Sequence, residues 1–230
     1  MNDNSKVMLT KNTAIWCGIS GIIASLILFV GDMLFYYDGA NTNLIANMAN
    51  VSSNRVIISG LCALLSAWFY TLASGQLYYA FQPAKKIIQL TVFFSFMAIM
   101  IAFGIVHAAY IAIATSAKNA ALQGLPPQSF TELALAANNA LRLMTYIPFT
   151  IFTLLFIYAV WKKSTHYPQW ILLFCPIIPF LLNDFIISNL DGKIHTIIAG
   201  GYLNLILLLF FTASTIALLT KDTPKITKKR

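Results

Sequence analysis

Residues 14–37 read AIWCGISGIIASLILFVGDMLFYY, an apolar run that contains one charged residue, Asp32. The hydrocarbon core of a bilayer is about 30 Å thick, so about 20 consecutive apolar residues span it as an α-helix. Residues 14–37 reach that length and exceed the apolar region of a signal peptide. The stretch therefore predicts a retained membrane-spanning helix.

Further apolar runs of the same kind follow along the 230-residue chain. Irregular strands would leave backbone groups unpaired at lipid depth, and the runs lack the alternation of a membrane barrel. The sequence therefore predicts an all-α, polytopic transmembrane helical bundle of about six helices, forming one integral membrane domain over residues 1–230. The predicted helices cover roughly 14–37, 56–81, 87–115, 140–161, 168–189 and 194–220.

The composition of the chain is that of a membrane protein. Hydrophobic residues make up 59% of the chain and charged residues 10%, whereas a soluble domain carries about 25% charged residues. The formal net charge of +8 is spread over short clusters between apolar runs, so it indicates membrane topology and argues against nucleic acid as a partner. The cysteines Cys17, Cys62 and Cys175 lack the paired spacing of zinc or redox sites.

The lysines and arginines predict the orientation, because cytoplasmic loops carry an excess of basic residues. The imbalance between the two predicted faces places both termini in the cytoplasm. One face holds Lys6, Lys11, Lys85, Lys86, Lys162, Lys163, Lys221, Lys225, Lys228, Lys229 and Arg230, and the other holds Arg55, Lys118, Arg142 and Lys193. Residues 221–230 are predicted to form a basic cytoplasmic tail against anionic lipid.

Two regions depart from plain spanning helices. Ser129 and Glu132 have the S-x-x-E spacing of a capping box and predict a helix start. If that helix continues to Trp161, it is about 48 Å long and exceeds the membrane. Pro176 and Pro179 interrupt the predicted fifth helix; broken helices line binding sites in many transporters, although prolines also occur in ordinary membrane helices.

Ionisable residues inside the predicted helices are few, and they fall in one layer. Such residues cost a few kcal/mol to insert and usually face a cavity or pair with one another. Counted from the inner ends, each helix delivers one ionisable residue to the outer part of the bundle. The predicted ligand-binding site on the extracytoplasmic side consists of Asp32, Arg55, His107, Arg142, Asp184 and His195, with Asn204 deeper in the last helix.

Three functions of different classes fit this layer. The first is binding or transport of a small anionic molecule or a lipid headgroup, with the arginines on a carboxylate or phosphate and Asp32 or Asp184 linked to protons. Six helices are few for a single-chain transporter, which favours a homo-oligomer or a lipid-headgroup site. The second function is that of a structural or accessory membrane protein whose polar layer clamps helices together.

The third hypothesis is an intramembrane metal-dependent hydrolase. The chain contains no H-E-x-x-H motif and no clustered His pair, so no metal ligand is predicted. Ser59 and Ser188 are candidates for a Ser-His-Asp arrangement by depth alone. Whether the protein is an enzyme stays open at this point, and the sequence indicates no particular cofactor.

Two short motifs carry a resemblance. Residues 31–37 read GDMLFYY near the end of the first predicted helix, and residues 199–205 read AGGYLNL in the last. Together they resemble a family of uncharacterised bacterial polytopic membrane proteins, described as a domain of unknown function. The resemblance implies a bacterial inner-membrane setting and transfers no activity or catalytic residue.

Overall fold

The computed structural model describes residues 9–38 and 43–220, and within these two ranges its regular structure is helical, with no strand. Five helices in the described ranges, namely α1, α3, α4, α5 and α8, are long and apolar enough to cross a membrane. The expectation of an all-helical, multi-pass membrane protein is confirmed. The elements are α1 (Lys11–Tyr36), α2 (Leu44–Asn50), α3 (Ser53–Ala80), α4 (Lys86–Leu122), α5 (Pro127–Trp161), a 3-10 helix (Gln169–Phe174), α6 (Ile177–Leu181), α7 (Asn183–Ser188) and α8 (Gly192–Thr220).

Local sequence sets where the helices begin. Thr10 Oγ1 accepts a hydrogen bond from the backbone N–H of Thr13 at 3.2 Å, which caps α1. Helix α5 begins with Pro127 at its first position and has no side-chain cap. Proline suits that position because its missing N–H would have no partner in the helix anyway. The start predicted from the capping box at Ser129 is therefore slightly late.

Helices α4 and α5 form a hairpin longer than the membrane is thick. They contain 37 and 35 residues, or about 55 and about 52 Å, against a hydrocarbon core of about 30 Å. The predicted ranges 87–115 and 140–161 covered only their most apolar parts. Asn138 Nδ2 donates to the carbonyl oxygen of Val106 at 2.8 Å and ties the two helices together. The far end of the hairpin extends past the bundle, where α2 packs against α4.

Helix α1 packs against both α3 and α8. Helix α8 runs antiparallel to α1, because Lys11 Nζ donates to the carbonyl oxygen of Leu219 at 3.4 Å near one end. Near the other end, Asn204 Nδ2 donates to Asp32 Oδ2 at 2.6 Å. Hydrogen bonds thus join α1 and α8 at two different depths.

A buried amide joins α3 to α8. Gln76 Nε2 donates to Thr215 Oγ1 at 2.9 Å, and Ser214 Oγ donates to Gln76 Oε1 at 2.7 Å. Both polar ends of the fully buried Gln76 side chain are therefore paired. Such interhelical hydrogen bonds hold helices together where the surroundings are apolar.

The predicted fifth helix, 168–189, is not one continuous helix. This region contains the 3-10 helix followed by α6 and α7, each of five or six residues. Pro168, Pro176 and Pro179 lack a backbone N–H and cannot donate to a helical hydrogen bond, which explains the interruptions. We call Gln169–Ser188 the broken segment.

One end of the bundle collects most of the described lysines. Gln82 Nε2 donates to the carbonyl oxygen of Leu9 at 3.3 Å, and the His166 N–H donates to that of Ala80 at 2.7 Å. The start of α1, the α3–α4 turn and the end of α5 therefore lie together. This basic end carries Lys11, Lys85, Lys86, Lys162 and Lys163. The predicted basic residue Lys6 and the predicted tail, 221–230, lie outside the described residues.

Candidate functional site

A cavity of about 370 Å³ lies between α1, α4, α5, α8 and the broken segment. Its volume falls within the range of small-molecule sites, about 300–1,000 Å³. The ionisable residues in its wall include Asp32 from α1, His107 from α4 and Arg142 from α5. Three of the six predicted ionisable site residues thus line one cavity.

The carboxylate of Asp32 is buried and held from two sides. Asn204 Nδ2 donates to Oδ2 at 2.6 Å, and Nε2 of His107 lies 3.4 Å from the same oxygen. All three side chains are buried, with Asn204 1% exposed. Asn204 does not line the cavity and acts by orienting Asp32. The Asp32/His107 pair is therefore fixed in place by α8.

The geometry of His107 favours a hydrogen between its ring and Asp32. Nδ1 lies 2.8 Å from the carbonyl oxygen of Phe103, and a carbonyl can only accept, so Nδ1 carries a hydrogen. Nε2 and the Asp32 oxygen would face each other with lone pairs unless a second hydrogen lies between them. That hydrogen belongs to one atom or the other, and in either case the pair is neutral.

Arg142 brings a positive charge to the same cavity. Its side chain is half-buried and lines the wall. Within 9–38 and 43–220, no side-chain hydrogen bond or salt bridge engages its guanidinium. Because guanidinium keeps its charge at any physiological pH and presents donors in a planar fork, it matches a carboxylate or phosphate.

The three charged groups lie at one depth. At about 1.5 Å of rise per residue, Asp32, His107 and Arg142 lie about 28 to 32 Å from the basic ends of α1, α4 and α5. That distance is close to the thickness of a hydrocarbon core, about 30 Å. The charged part of the cavity therefore lies about one hydrocarbon-core thickness from the basic end.

Arg55, a predicted site residue, binds the end of α1 and does not line the cavity. Its Nε donates to the carbonyl oxygen of Leu34 at 2.9 Å, and one terminal nitrogen donates to those of Met33 and Tyr37 at 3.1 and 3.0 Å. The last carbonyls of a helix have no intrahelical partner and carry partial negative charge. Arg55 supplies a donor to the carbonyls of Leu34 and Tyr37 and a second donor to that of Met33, which also accepts from the Tyr37 N–H at 3.0 Å; this is a structural role.

Two other predicted site residues also lie outside the cavity wall. Asp184 is exposed in the first turn of α7 and accepts a hydrogen bond from Asn183 at 3.0 Å. His195 lies in the first turn of α8, half-buried, and its Nδ1 has no hydrogen-bond partner among the described residues. The broken segment contributes other residues to the cavity, Asn183 and Phe180 among them.

The sequence argument missed the aromatic part of the wall. Tyr36, Tyr110 and Tyr146 are not among the predicted site residues, but all three line the cavity. Helical spacing is the signal that finds them, because residues three, four and seven apart share one face. Phe103, His107 and Tyr110 show that spacing in α4. The same spacing relates Asp32 to Tyr36 in α1 and Arg142 to Tyr146 and Phe149 in α5.

Neither enzyme hypothesis gains support from the geometry. In the described part of the chain, no group of three or more His, Cys, Asp or Glu side chains is arranged to hold a metal ion. Ser59 Oγ donates to the carbonyl oxygen of Gly31 at 2.6 Å, and Ser188 is exposed. Neither serine lines the cavity beside His107.

The sequence matches a family of unknown function, DUF6796, over residues 1–221. This match confirms the resemblance carried by the GDMLFYY and AGGYLNL motifs. No curated protein and no solved structure matches the chain.

Proposed function

We propose, for a chain that belongs to the DUF6796 family of unknown function, that it is a membrane protein which binds an anion-bearing small molecule in this cavity. The observation that carries the proposal is Arg142. A half-buried guanidinium lines a cavity with a partly aromatic wall, and no described side chain pairs with it. Burying a charge without a partner is costly, so a bound carboxylate or phosphate would complete the site.

The proposed topology has six crossings with both termini in the cytoplasm, in a bacterial inner membrane. The broken segment is the proposed fifth crossing. It follows His166, which pairs with Ala80 at the basic end, and it leads to α8, whose Asn204 binds Asp32 near the opposite end. The lysines of the basic end favour the cytoplasmic side for that end. The cavity then opens toward the extracytoplasmic side.

Proton binding by the Asp32/His107 pair would be coupled to anion binding. With its proton the pair is neutral, and without it the pair repels an anion at Arg142. The other titratable groups that line the cavity are Tyr36 on α1, Tyr110 on α4, Tyr146 on α5 and Tyr202 on α8. Phenols stay neutral near pH 7, so we assign the coupling to the Asp32/His107 pair. Anion affinity should therefore fall as the pH rises.

Titration calorimetry with benzoate on the full chain in nanodiscs tests the proposal. Benzoate offers one carboxylate on an aromatic body, as the lining requires. The Arg142→Gln variant should lose affinity about tenfold or more, because hydrogen bonds to charged groups contribute about 1.5–3 kcal/mol.

Lys193→Gln is the matched control. Lys193 is an exposed cation in the first turn of α8 and does not line the cavity. The substitution removes one positive charge, as Arg142→Gln does. It should leave benzoate affinity within about twofold, because an exposed charge outside the site is screened. Equal losses in both variants, or no binding to the unmodified chain, would contradict the proposal.

The structural alternative rests on a specific observation, the three hydrogen bonds from Arg55 to the end of α1. On that alternative the whole polar layer only clamps helices, and Arg142→Gln changes stability or abundance alone. The benzoate titration separates the two, since a clamp has no reason to bind an anion.

A further inference from the structure

The cavity has two chemically different parts. The charged groups Asp32, His107 and Arg142 lie at its outer level, and below them the wall is apolar. At about 1.5 Å per residue, Phe96 and Phe152 lie about 14 to 15 Å from the basic ends of α4 and α5. The apolar part of the wall therefore reaches helix turns that lie about 15 Å closer to the basic end than those of the charged groups. We call it the shaft, and its lining includes Phe96, Ile99, Met100, Phe152, Ile206 and Leu207.

The shaft is closed at its inner end by packed aromatic rings. Phe96 and Phe152 have ring centroids 5.4 Å apart, and Phe152 and Phe156 are also 5.4 Å apart. Phe210 packs against the same rings, 5.7 Å from Phe156. All four side chains are at most 1% exposed. The shaft is therefore a blind pocket for an apolar group in this structure.

On the lipid side the shaft has a thin wall. Helix α5 packs along α4, and its other sizeable contacts are to α2 and the 3-10 helix. The short α6 stands between α5 and α8. Phe180 of α6 lies 5.7 Å from the ring of Phe149 on α5, and Tyr202 of α8 donates its hydroxyl to the carbonyl oxygen of Pro179 at 2.7 Å. Leu181, next in the chain, is 74% exposed. One turn of helix thus separates the shaft from the surroundings of the bundle.

We propose that the ligand is a single-chain amphiphile whose anionic head binds at Arg142 and whose alkyl chain fills the shaft. This inference rests on the proposed function and adds the class of ligand and its orientation. A charged group above a blind apolar shaft matches a head above a chain. The volume of about 370 Å³ is near the lower limit for small-molecule sites, which favours one chain over two. The head is a carboxylate or a phosphate, since guanidinium binds both.

The test is photolabelling of the full chain in nanodiscs with dodecanoate that carries a diazirine at its chain terminus. Peptide mapping should place the label on shaft residues such as Met100, Phe152 and Leu207, and benzoate should displace it. Label found only on lipid-facing residues such as Leu154 and Leu209, which are 64% and 46% exposed, would overturn the inference.

Competing amphiphiles identify the head. Dodecanoate and dodecyl phosphate should each compete with the photolabel for the cavity. The better competitor shows whether the preferred ligand is a fatty acid or a phosphate monoester. Dodecanol has the same chain without the charge and should compete at least tenfold less well. Equal competition by dodecanol would overturn the assignment of the head to Arg142.

Two tryptophan variants on α8 probe the shaft directly. Leu207→Trp fills the shaft and should reduce labelling at least tenfold while benzoate still binds. Leu209→Trp, two residues away on the lipid-facing side, should change neither. If Leu207→Trp does not fold, the label map of the unmodified chain still decides the question. Benzoate binding that depends on Arg142, without label in the shaft, would refute this inference and leave the proposed function intact; absence of both would refute both.

Discussion

Replacing Asp32 by Asn should abolish the pH dependence of anion binding. On the proposed coupling, the Asp32/His107 pair releases one proton as the anion leaves, and the carboxylate then places a negative charge beside Arg142. Linkage of one proton gives a limiting slope of tenfold in affinity per pH unit, or about 1.4 kcal/mol. The stabilising protonated form is fully present at low pH, so affinity falls as the pH rises. In the variant the new amide donates to Nε2 of neutral His107, so no charge change occurs beside Arg142 and the affinity should stay constant.

The structure indicates that this variant still folds. In Asp32→Asn, the nitrogen of the new side-chain amide can donate a hydrogen bond to Nε2 of His107. Nδ1 of His107 continues to donate to the carbonyl oxygen of Phe103. Asn204 then turns its amide and accepts from the new amide nitrogen with its Oδ1, which has no partner among the described residues. Each contact to the carboxylate is thus replaced by a neutral one. We expect the free energy of unfolding to change by about 1 kcal/mol.

The assay is benzoate titration in nanodiscs from about pH 6 to about pH 9, where benzoate remains anionic. His195→Gln is the control, because His195 is half-buried outside the cavity wall and its loss should leave the slope unchanged. An affinity that does not vary with pH in the unmodified chain would refute the reasoning. So would a slope that persists in Asp32→Asn.

Three further predictions concern parts of the structure away from Arg142. Arg55→Ala should lower the free energy of unfolding by about 2 kcal/mol without changing benzoate affinity, because it removes donors from three carbonyls at the end of α1. Asn54→Ala, a change at an exposed neighbour, is the control in a denaturation series. Equal denaturation midpoints for the two variants would contradict the structural role of Arg55. Gln76→Leu should cost about 1–2 kcal/mol, since Ser214 and Thr215 lose their buried partner, as differential scanning calorimetry would show; a benzoate affinity that falls in parallel would contradict its separation from the cavity. For topology, an impermeant maleimide applied to intact cells should label Lys193→Cys and reach Lys163→Cys only after lysis, and the reverse pattern would invert the proposed orientation.

The long apolar runs were sufficient to predict an all-helical membrane fold. Membrane-spanning helices are recognised by their length and hydropathy, and both can be read directly from a sequence. The bounds of α4 and α5 were less accessible, because Ala117 and Asn138 continue a helix beyond the apolar part, where packing between the two helices decides the outcome. The interruption after Phe174 follows from prolines that the sequence shows. How far they disrupt 168–189 depends on the packing of this segment against α5 and α8.

The sequence predicted how deep each candidate site residue lies along its helix, but not which way its side chain points. Counting along each helix placed Asp32, Arg55 and His107 in one outer layer. It could not tell that Arg55 turns toward the carbonyls of α1 while Asp32 and His107 meet in a cavity, since that depends on how each helix is rotated about its axis. Rotation is set by packing across helices far apart in sequence, such as the contact of Asn204 with Asp32. The ligand-binding role of the predicted layer remains a prediction.

An experimental structure of the full chain in nanodiscs at saturating benzoate tests the central claim most directly. The account predicts benzoate in the cavity, with its carboxylate within hydrogen-bond distance of the Arg142 guanidinium and beside His107. A cavity that stays empty, with Arg142 bound instead to Asp32 or to another protein group, would contradict it.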